Sequence, residues 1–201
     1  MNNQEIEVKF FVRDLSEIAQ RVTELGGRLV HSRMYEVNLR YDTANRDLYK
    51  RFEVLRLRKD FTSRLTFKGP YQDDPSVSRR QEIEFDVSNF DNAKKFLEAL
   101  GYQLDVMYEK HRTTYAIRNL LVVLDEMPYG NFVEIEGPDA ESIQQVAEEL
   151  RLNWDARCTE SYVMLFDRLI KKHNLNIKHL SFEEFAGKTF SAEDFDLKPA
   201  D

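Results

Sequence analysis

The chain has a single cysteine, Cys158, and only 7 glycines and 5 prolines in 201 residues. One cysteine excludes a disulfide framework; it points to a reducing, cytoplasmic setting in which the thiol packs as a small residue. The 4 histidines are scattered, with neither H-x-x-x-H nor Cys/His spacing, which argues against zinc. No long uncharged run and no basic-then-apolar leader is present, so nothing reads as a membrane span or a secretion signal. Positive charge is in deficit, and the net charge of −7 argues against a broad nucleic-acid surface, although a cleft can carry a local field of the opposite sign. What remains is one domain's length of chain, 42% hydrophobic, enough to bury one substantial core.

The stretch Gln4–Phe11, QEIEVKFF, reads as a strand: Ile6, Val8 and Phe10 share one face, and Glu5, Glu7 and Lys9 share the other. Residues two apart on a strand stand about 6.6 Å apart, so the charged face offers two carboxylates and then an ammonium in a row. Such a row suits a hard divalent cation followed by an anion held by metal and lysine together. Asp14 with Glu17 resembles a capping box, and Leu15, Ile18, Val22 and Leu25 fall at helical spacing before Gly26-Gly27. An extended segment follows from Arg28 to Asp42, with Tyr35, Val37, Leu39 and Tyr41 on one face and Glu36, Asn38, Arg40 and Asp42 on the other.

Further strands repeat one peculiarity, in that the residues between the apolar ones are charged. Arg56 and Arg58 alternate with Leu55 and Leu57; Arg64, Thr66 and Lys68 with Leu65 and Phe67; Arg80, Glu82 and Glu84 with Gln81, Ile83 and Phe85. An internal echo accompanies this pattern: Glu5-Ile6-Glu7, Glu82-Ile83-Glu84 and Glu134-Ile135-Glu136 each precede an amphipathic helix. Between the second and third of these lie one strand placing Tyr108, Lys110 and Arg112 on a face and another, NLLVVLDEM, that carries Asp125. A last helix carries Tyr162, Leu165, Phe166, Leu169 and Ile170. From about residue 171 the pattern dissolves, which divides the chain into a main domain, 1–170, and an accessory tail, 171–201.

About eight strands with hairpin-like or helix-bearing links imply an α+β fold built on an antiparallel barrel. Amphipathic helices need apolar partners, and the Ile6/Val8/Phe10, Leu55/Leu57, Leu65/Phe67 and Ile83/Phe85 faces are the candidates. If those faces look outward under helices, the charged faces line the bore. Buried dry, that many ions would each cost several kcal/mol, so the interior must be a wet channel with a ligand. A polyanion with a divalent metal satisfies both sets, since Arg and Lys grip phosphate oxygens while carboxylates hold the metal that bridges to them.

Glu5-x-Glu7-x-Lys9, Arg56-x-Arg58, Lys68-Gly69-Pro70, Arg80-x-Glu82-x-Glu84, Lys110-x-Arg112, Leu124-Asp125 and Glu134-x-Glu136, in this order, resemble the CYTH superfamily of triphosphate tunnel metalloenzymes. The likeness runs from about Glu5 to about Ile170 and includes Ser161-Tyr162. It implies an eight-stranded antiparallel tunnel with a charged interior and helices outside. It further implies Mg²⁺ or Mn²⁺ held by Glu5, Glu7, Asp125, Glu134 and Glu136, and a triphosphate gripped by Arg56, Arg58, Lys68, Arg80, Lys110 and Arg112. Lys9, together with Glu5 and Glu7, takes the catalytic position, and Glu82 and Glu84 become structural ion pairs; for each residue singly, a plain ion pair is the competing role.

The resemblance leaves the reaction open between triphosphate hydrolysis and class IV adenylyl cyclisation of ATP to cyclic AMP and pyrophosphate. A His-Phe pair that precedes ExExK in the cyclase branch has no counterpart in MNNQ before Glu5, and this favours hydrolysis. The substrates to weigh are inorganic tripolyphosphate, a nucleoside triphosphate and thiamine triphosphate, for which Trp154 is a candidate platform and a core residue by the plainer reading. An aromatic pocket from Tyr35, Tyr41 or Tyr71 is the corresponding feature for adenine. A non-catalytic polyphosphate-binding module would keep the basic set and lose the carboxylates, whereas this chain has both. A homodimer is compatible with the sequence; nucleic-acid and membrane partners are not expected.

Overall fold

The computed structural model describes residues 4–201. Strands β1 (Gln4–Val12), β2 (Arg28–Asp42), β3 (Val54–Lys59), β4 (Ser63–Tyr71), β5 (Ser78–Asp86), β6 (Gln103–Ile117), β7 (Leu120–Met127) and β8 (Gly130–Glu136) follow one another around a ring. Neighbours run in the order β5-β4-β3-β2-β6-β7-β8-β1, and β1 pairs back to β5, which closes the barrel. Every pairing in the ring is antiparallel. Where β5 leaves β1 after Glu7, the two-residue strand β9 (Arg157–Cys158) takes over the same edge at Lys9 and Phe10. The tight β7–β8 turn needs Gly130, since a Cβ there would lie 2.7 Å from the Phe11 ring.

Helices follow the three Glu-x-Glu strands. α1 (Leu15–Glu24) succeeds β1, α3 (Phe90–Ala99) succeeds β5, and α4 (Ala140–Glu149) succeeds β8; the short α2 (Asp47–Lys50) links β2 to β3. Asp14, Asn89 and Asp139 cap α1, α3 and α4 by accepting a backbone N–H bond in the first turn. Glu17 does not close the expected capping box; it pairs with Arg21 one turn along. Ile18 and Val22 of α1 and Ile143, Val146 and Ala147 of α4 pack on the outer face of β1, β7 and β8 through Ile6, Val8, Phe10, Val122, Leu124 and Ile135. Leu57 on β3 packs with Leu97 of α3. Apolar side chains therefore look outward under a helical coat, and the charged alternates look in.

The coat is incomplete. Ile83 and Phe85 on β5, expected beneath a helix, are 42% and 54% exposed, because α3 crosses β3 and leaves the β5 face open. Above Lys9 the inward face of β1 turns aromatic: Phe11 meets Phe132 at 5.3 Å between ring centres, and Phe132 meets Tyr162 at 5.2 Å. Tyr162 opens α5 (Tyr162–His173), which lies across this end of the barrel behind its N-cap Ser161. The residues after α5 complete the closure. Leu180 exchanges backbone bonds with Met107 and Glu109 of β6, Phe185 and Phe195 join the aromatic cluster, and Ala200 N–H donates to the Phe11 carbonyl at 2.9 Å. Ser181 accepts the Glu184 N–H at 3.2 Å, and the segment around it is a run of turns. Cys158 is buried, as a small packed residue would be.

Candidate active site

The bore holds a cavity of about 840 Å³, lined by Glu5, Glu7, Lys9, Arg56, Arg58, Lys68, Arg80, Glu82, Glu84, Lys110, Arg112, Glu134 and Glu136. Strand register explains why these side chains meet. Glu5 and Glu7 on β1 are flanked by Arg80 and Ser78 of β5 on one side and by Glu136 and Glu134 of β8 on the other, with Glu7 directly opposite Glu136 and Lys9 opposite Glu134. The three Glu-x-Glu strands are thus neighbours, β5-β1-β8. Across the bore, Arg56 and Arg58 of β3 and Lys110 and Arg112 of β6 flank β2, whose Glu36 stands opposite Lys110.

One wall is paired through Asp125, Glu36 and Glu84. Asp125 on β7 is 0% exposed and accepts from Arg112 Nε at 2.7 Å, Lys110 Nζ at 3.0 Å and the Tyr162 hydroxyl at 2.8 Å. Those donors occupy its oxygens, and it does not line the cavity; the expectation that it ligates a metal is corrected to an anchor that aims two cations. Glu36 is 1% exposed and faces Lys110 at 3.6 Å and Arg58 at 3.9 Å. Burial alone would raise its carboxyl, but Lys110, Arg112, Arg58 and Arg56 hold it far below the carboxylate range. Arg58 also reaches Glu84 at 3.0 Å, and Arg56 reaches Glu84 at 3.4 Å and Glu82 at 3.9 Å. Burial likewise works against charge on Glu84, and Arg58, Thr66 and Arg56 reverse it, leaving the carboxyl lowered. Arg80 donates to the carbonyls of Gly69 and Phe52 and stacks on Tyr71 at 4.4 Å, which fixes its guanidinium at the cavity wall.

The corner around β1 is different. Lys68 bonds Glu5 at 2.6 Å, Lys9 bonds Glu7 and stands 3.5 Å from Glu134, and Arg112 bonds Glu134 at 2.5 Å. Burial opposes charge on Lys9, yet Glu7 and Glu134 raise its ammonium above the usual lysine range. Glu136 has no cationic partner among the described residues. Burial first, then the neighbouring Glu5, Glu7 and Glu82, push its carboxyl up to about 7. Like charges set directly across two strands, as Glu7 and Glu136 are, repel and call for a cation between them.

Carboxylates from three adjacent strands are the hard oxygen donors that Mg²⁺ or Mn²⁺ takes. Among the described residues no three His, Cys, Asp or Glu side chains already converge as in a filled site, in keeping with lysines holding Glu5 and Glu7. The donor set fits the metal provided those lysines turn to the ligand. Sequence reasoning left Glu36, Arg40, Arg64, Tyr108 and Tyr162 out of the cavity, although all five line it. For Glu36 and Arg40 the signal was present in the alternation of β2. Tyr71 lines the cavity, whereas Tyr41 is buried in the outer core and Tyr35 is exposed and bonded to Glu109. Trp154 packs outside against Phe10 at 6.1 Å, so it offers the bore no platform.

No helix among the described residues is long and apolar enough to cross a membrane. None of the curated proteins compared matches the chain. Among solved structures it is similar to a proposed adenylate cyclase from Vibrio parahaemolyticus, with 20% identity over 83% of this chain and 99% of that one and a TM-score of 0.74. It is also similar to the PH1819 protein from Pyrococcus horikoshii, at 26% identity, 81% and 97% coverage and a TM-score of 0.70. A third likeness is to a proposed adenylyl cyclase from Hippeastrum with a dominant triphosphatase activity, at 19% identity, 81% and 95% coverage and a TM-score of 0.60. The family model for the CYTH domain matches residues 3–158, and with the ring of strands and the ordered charges inside it this places the chain in the CYTH domain family.

Proposed function

We propose that the chain is a metal-dependent hydrolase of a triphosphate-containing substrate, with inorganic tripolyphosphate ahead of a nucleoside triphosphate or thiamine triphosphate. The observation that carries this reading is the ionic character of the bore, where arginines and lysines face a corner of carboxylates across about 840 Å³. A linear polyanion answers the first set and a divalent cation the second. In this reading Glu5, Glu7, Glu134 and Glu136 hold Mg²⁺ or Mn²⁺, which when bound supplies charge neutralisation at the phosphoryl oxygens and orients the attacking water. Arg56, Arg58, Lys68, Arg80, Lys110 and Arg112 bind the phosphate oxygens, and Asp125 with Tyr162 aims Lys110 and Arg112. Lys9, kept protonated between Glu7 and Glu134, places positive charge where the transferring group develops negative charge.

Cyclisation of ATP requires ribose and base to enter the bore so that the 3′-hydroxyl reaches the α-phosphorus. Two of the tyrosine faces inside are taken: Arg80 covers Tyr71, and Lys9 and Lys110 stand over Tyr162 at 5.6 and 5.2 Å. Adenylyl cyclisation is the second reading, supported by Phe61, which is 75% exposed at the open mouth and able to stack a base. Residues 1–170 are read as the catalytic domain and 171–201 as an accessory segment; a cytoplasmic setting fits the one buried thiol. The test is incubation of purified protein and Mg²⁺ or Mn²⁺ with tripolyphosphate, ATP and thiamine triphosphate in turn. Orthophosphate as the main product is expected; cyclic AMP as the main product from ATP would overturn hydrolysis, and no turnover of any substrate would leave a binding module.

A further inference from the structure

The cavity contains one arginine that neither the paired wall nor the carboxylate corner accounts for. Arg40 lines the bore from β2, directly opposite Arg56 on β3, so two like charges face inward side by side. Of the acids on that side, Asp105 bonds Arg46 at 3.0 Å and Asp167 stands 3.8 Å from the same guanidinium. Among the described residues no carboxylate comes within salt-bridge distance of Arg40. Arg56 beside it keeps a buried Nε without an acceptor, as does Arg58 one rung nearer the mouth. A guanidinium held without a counter-ion costs stability, and a fold keeps such an expense where a ligand supplies the missing anion.

Position gives the ligand's shape. Arg58 lies level with Arg64 and the mouth, whereas Arg56 and Arg40 lie about 6.6 Å deeper along β3, towards the end that Ser161, Tyr162 and Val163 close. Resting on the tunnel reading above, we propose that Arg40, with Arg56, is the deep anion subsite that measures phosphate-chain length: tripolyphosphate reaches it and pyrophosphate does not. Burial and the neighbouring Arg80 and Arg56 weaken the hold of Arg40 on its proton, as expected for a cation lacking its anion.

The test titrates metal-free, full-length protein with pyrophosphate and with tripolyphosphate by calorimetry. Wild type is expected to bind tripolyphosphate about ten-fold more tightly than pyrophosphate; Arg40→Met should lose that increment and bind both alike, while Arg40→Lys recovers part of it. Because Arg40 is unpaired, Arg40→Met should melt no lower than wild type without ligand, a sign opposite to that of a structural residue. The proposal is overturned if wild type shows no preference, if Arg40→Met keeps the preference, or if Arg40→Met melts lower. Arg58→Ala separates the two levels. If it leaves both affinities unchanged, the tunnel reading itself fails; if it weakens both ligands while Arg40→Met keeps the preference, only the deep subsite fails.

Discussion

The two sides of the bore solve the problem of buried charge differently. On the β2-β6-β7 side the ions that face the bore, Arg40 apart, have their counter-ions in place: Glu36 between Lys110 and Arg58, and Asp125 beneath Lys110, Arg112 and Tyr162. On the β1-β8 side the four carboxylates Glu5, Glu7, Glu134 and Glu136 meet only the three cations Lys9, Lys68 and Arg112, and among the described residues none of these reaches Glu136. A paired wall can form with the fold and stay fixed afterwards. An acidic surplus left at one corner stores repulsion that a bound cation would relieve. In the proposed reading the first side aims, and the second receives.

Four experiments would break or sharpen that contrast. The largest effect is expected on the paired wall, where Asp125→Ala strands Lys110 and Arg112 and should cost about 3–5 kcal/mol of stability in denaturant unfolding. A loss under about 1 kcal/mol would show that the wall does not depend on it. In the acidic corner, Glu5→Gln should fold normally and lower metal-dependent turnover of tripolyphosphate at least about a hundred-fold; full activity would take Glu5 out of the metal site.

Glu136 gives a pH signature with a definite sign. Its folded carboxyl stands near 7 against an ordinary 4.5, so folding favours the protonated form. The stability this contributes is fully present below about pH 4.5 and is lost as pH rises through about 7. Metal-free protein should therefore lose about 2 kcal/mol across that window, water in the cavity moderating the effect, and Glu136→Gln should flatten it. Thermal unfolding in chelator from acid to alkaline pH would show this, and Mg²⁺ should restore the loss above neutrality. A window that persists in Glu136→Gln would assign it to another group. The smallest effect is expected from Arg58→Ala, which should raise KM for tripolyphosphate about ten-fold with little change in kcat; an unchanged KM would remove Arg58 from the phosphate site.

Much of this was legible in the alternation of the strands. Arg56, Arg58 and Lys68 each follow a period of two against apolar partners, Lys110 and Arg112 share one face two residues apart, and all five line the cavity. The three Glu-x-Glu runs were visible too, but their adjacency was not: which strands neighbour one another is set by ring closure, and no local pattern encodes it. Asp125 looked like a ligand because sequence gives a residue's face without its partners. Ile83 and Phe85 fit the outward pattern, yet nothing in their own strand tells that α3 turns away from them. The closing segment was illegible for a simpler reason. Leu180, Phe185 and Phe195 are isolated apolar residues in polar surroundings, each fitting one hole in the aromatic cluster without helical or strand periodicity.

The seam of the barrel runs along β1. β8 and β9, which complete its hydrogen bonding, follow it some 120 to 150 residues later in the sequence. Such long-range pairing is slow to form and exposed until it does. Glu5 and Glu7 lie on that seam, and Ala200 adds a backbone bond over it, so the acidic corner is a long-range junction whose two halves meet only once most of the intervening chain exists to bridge them.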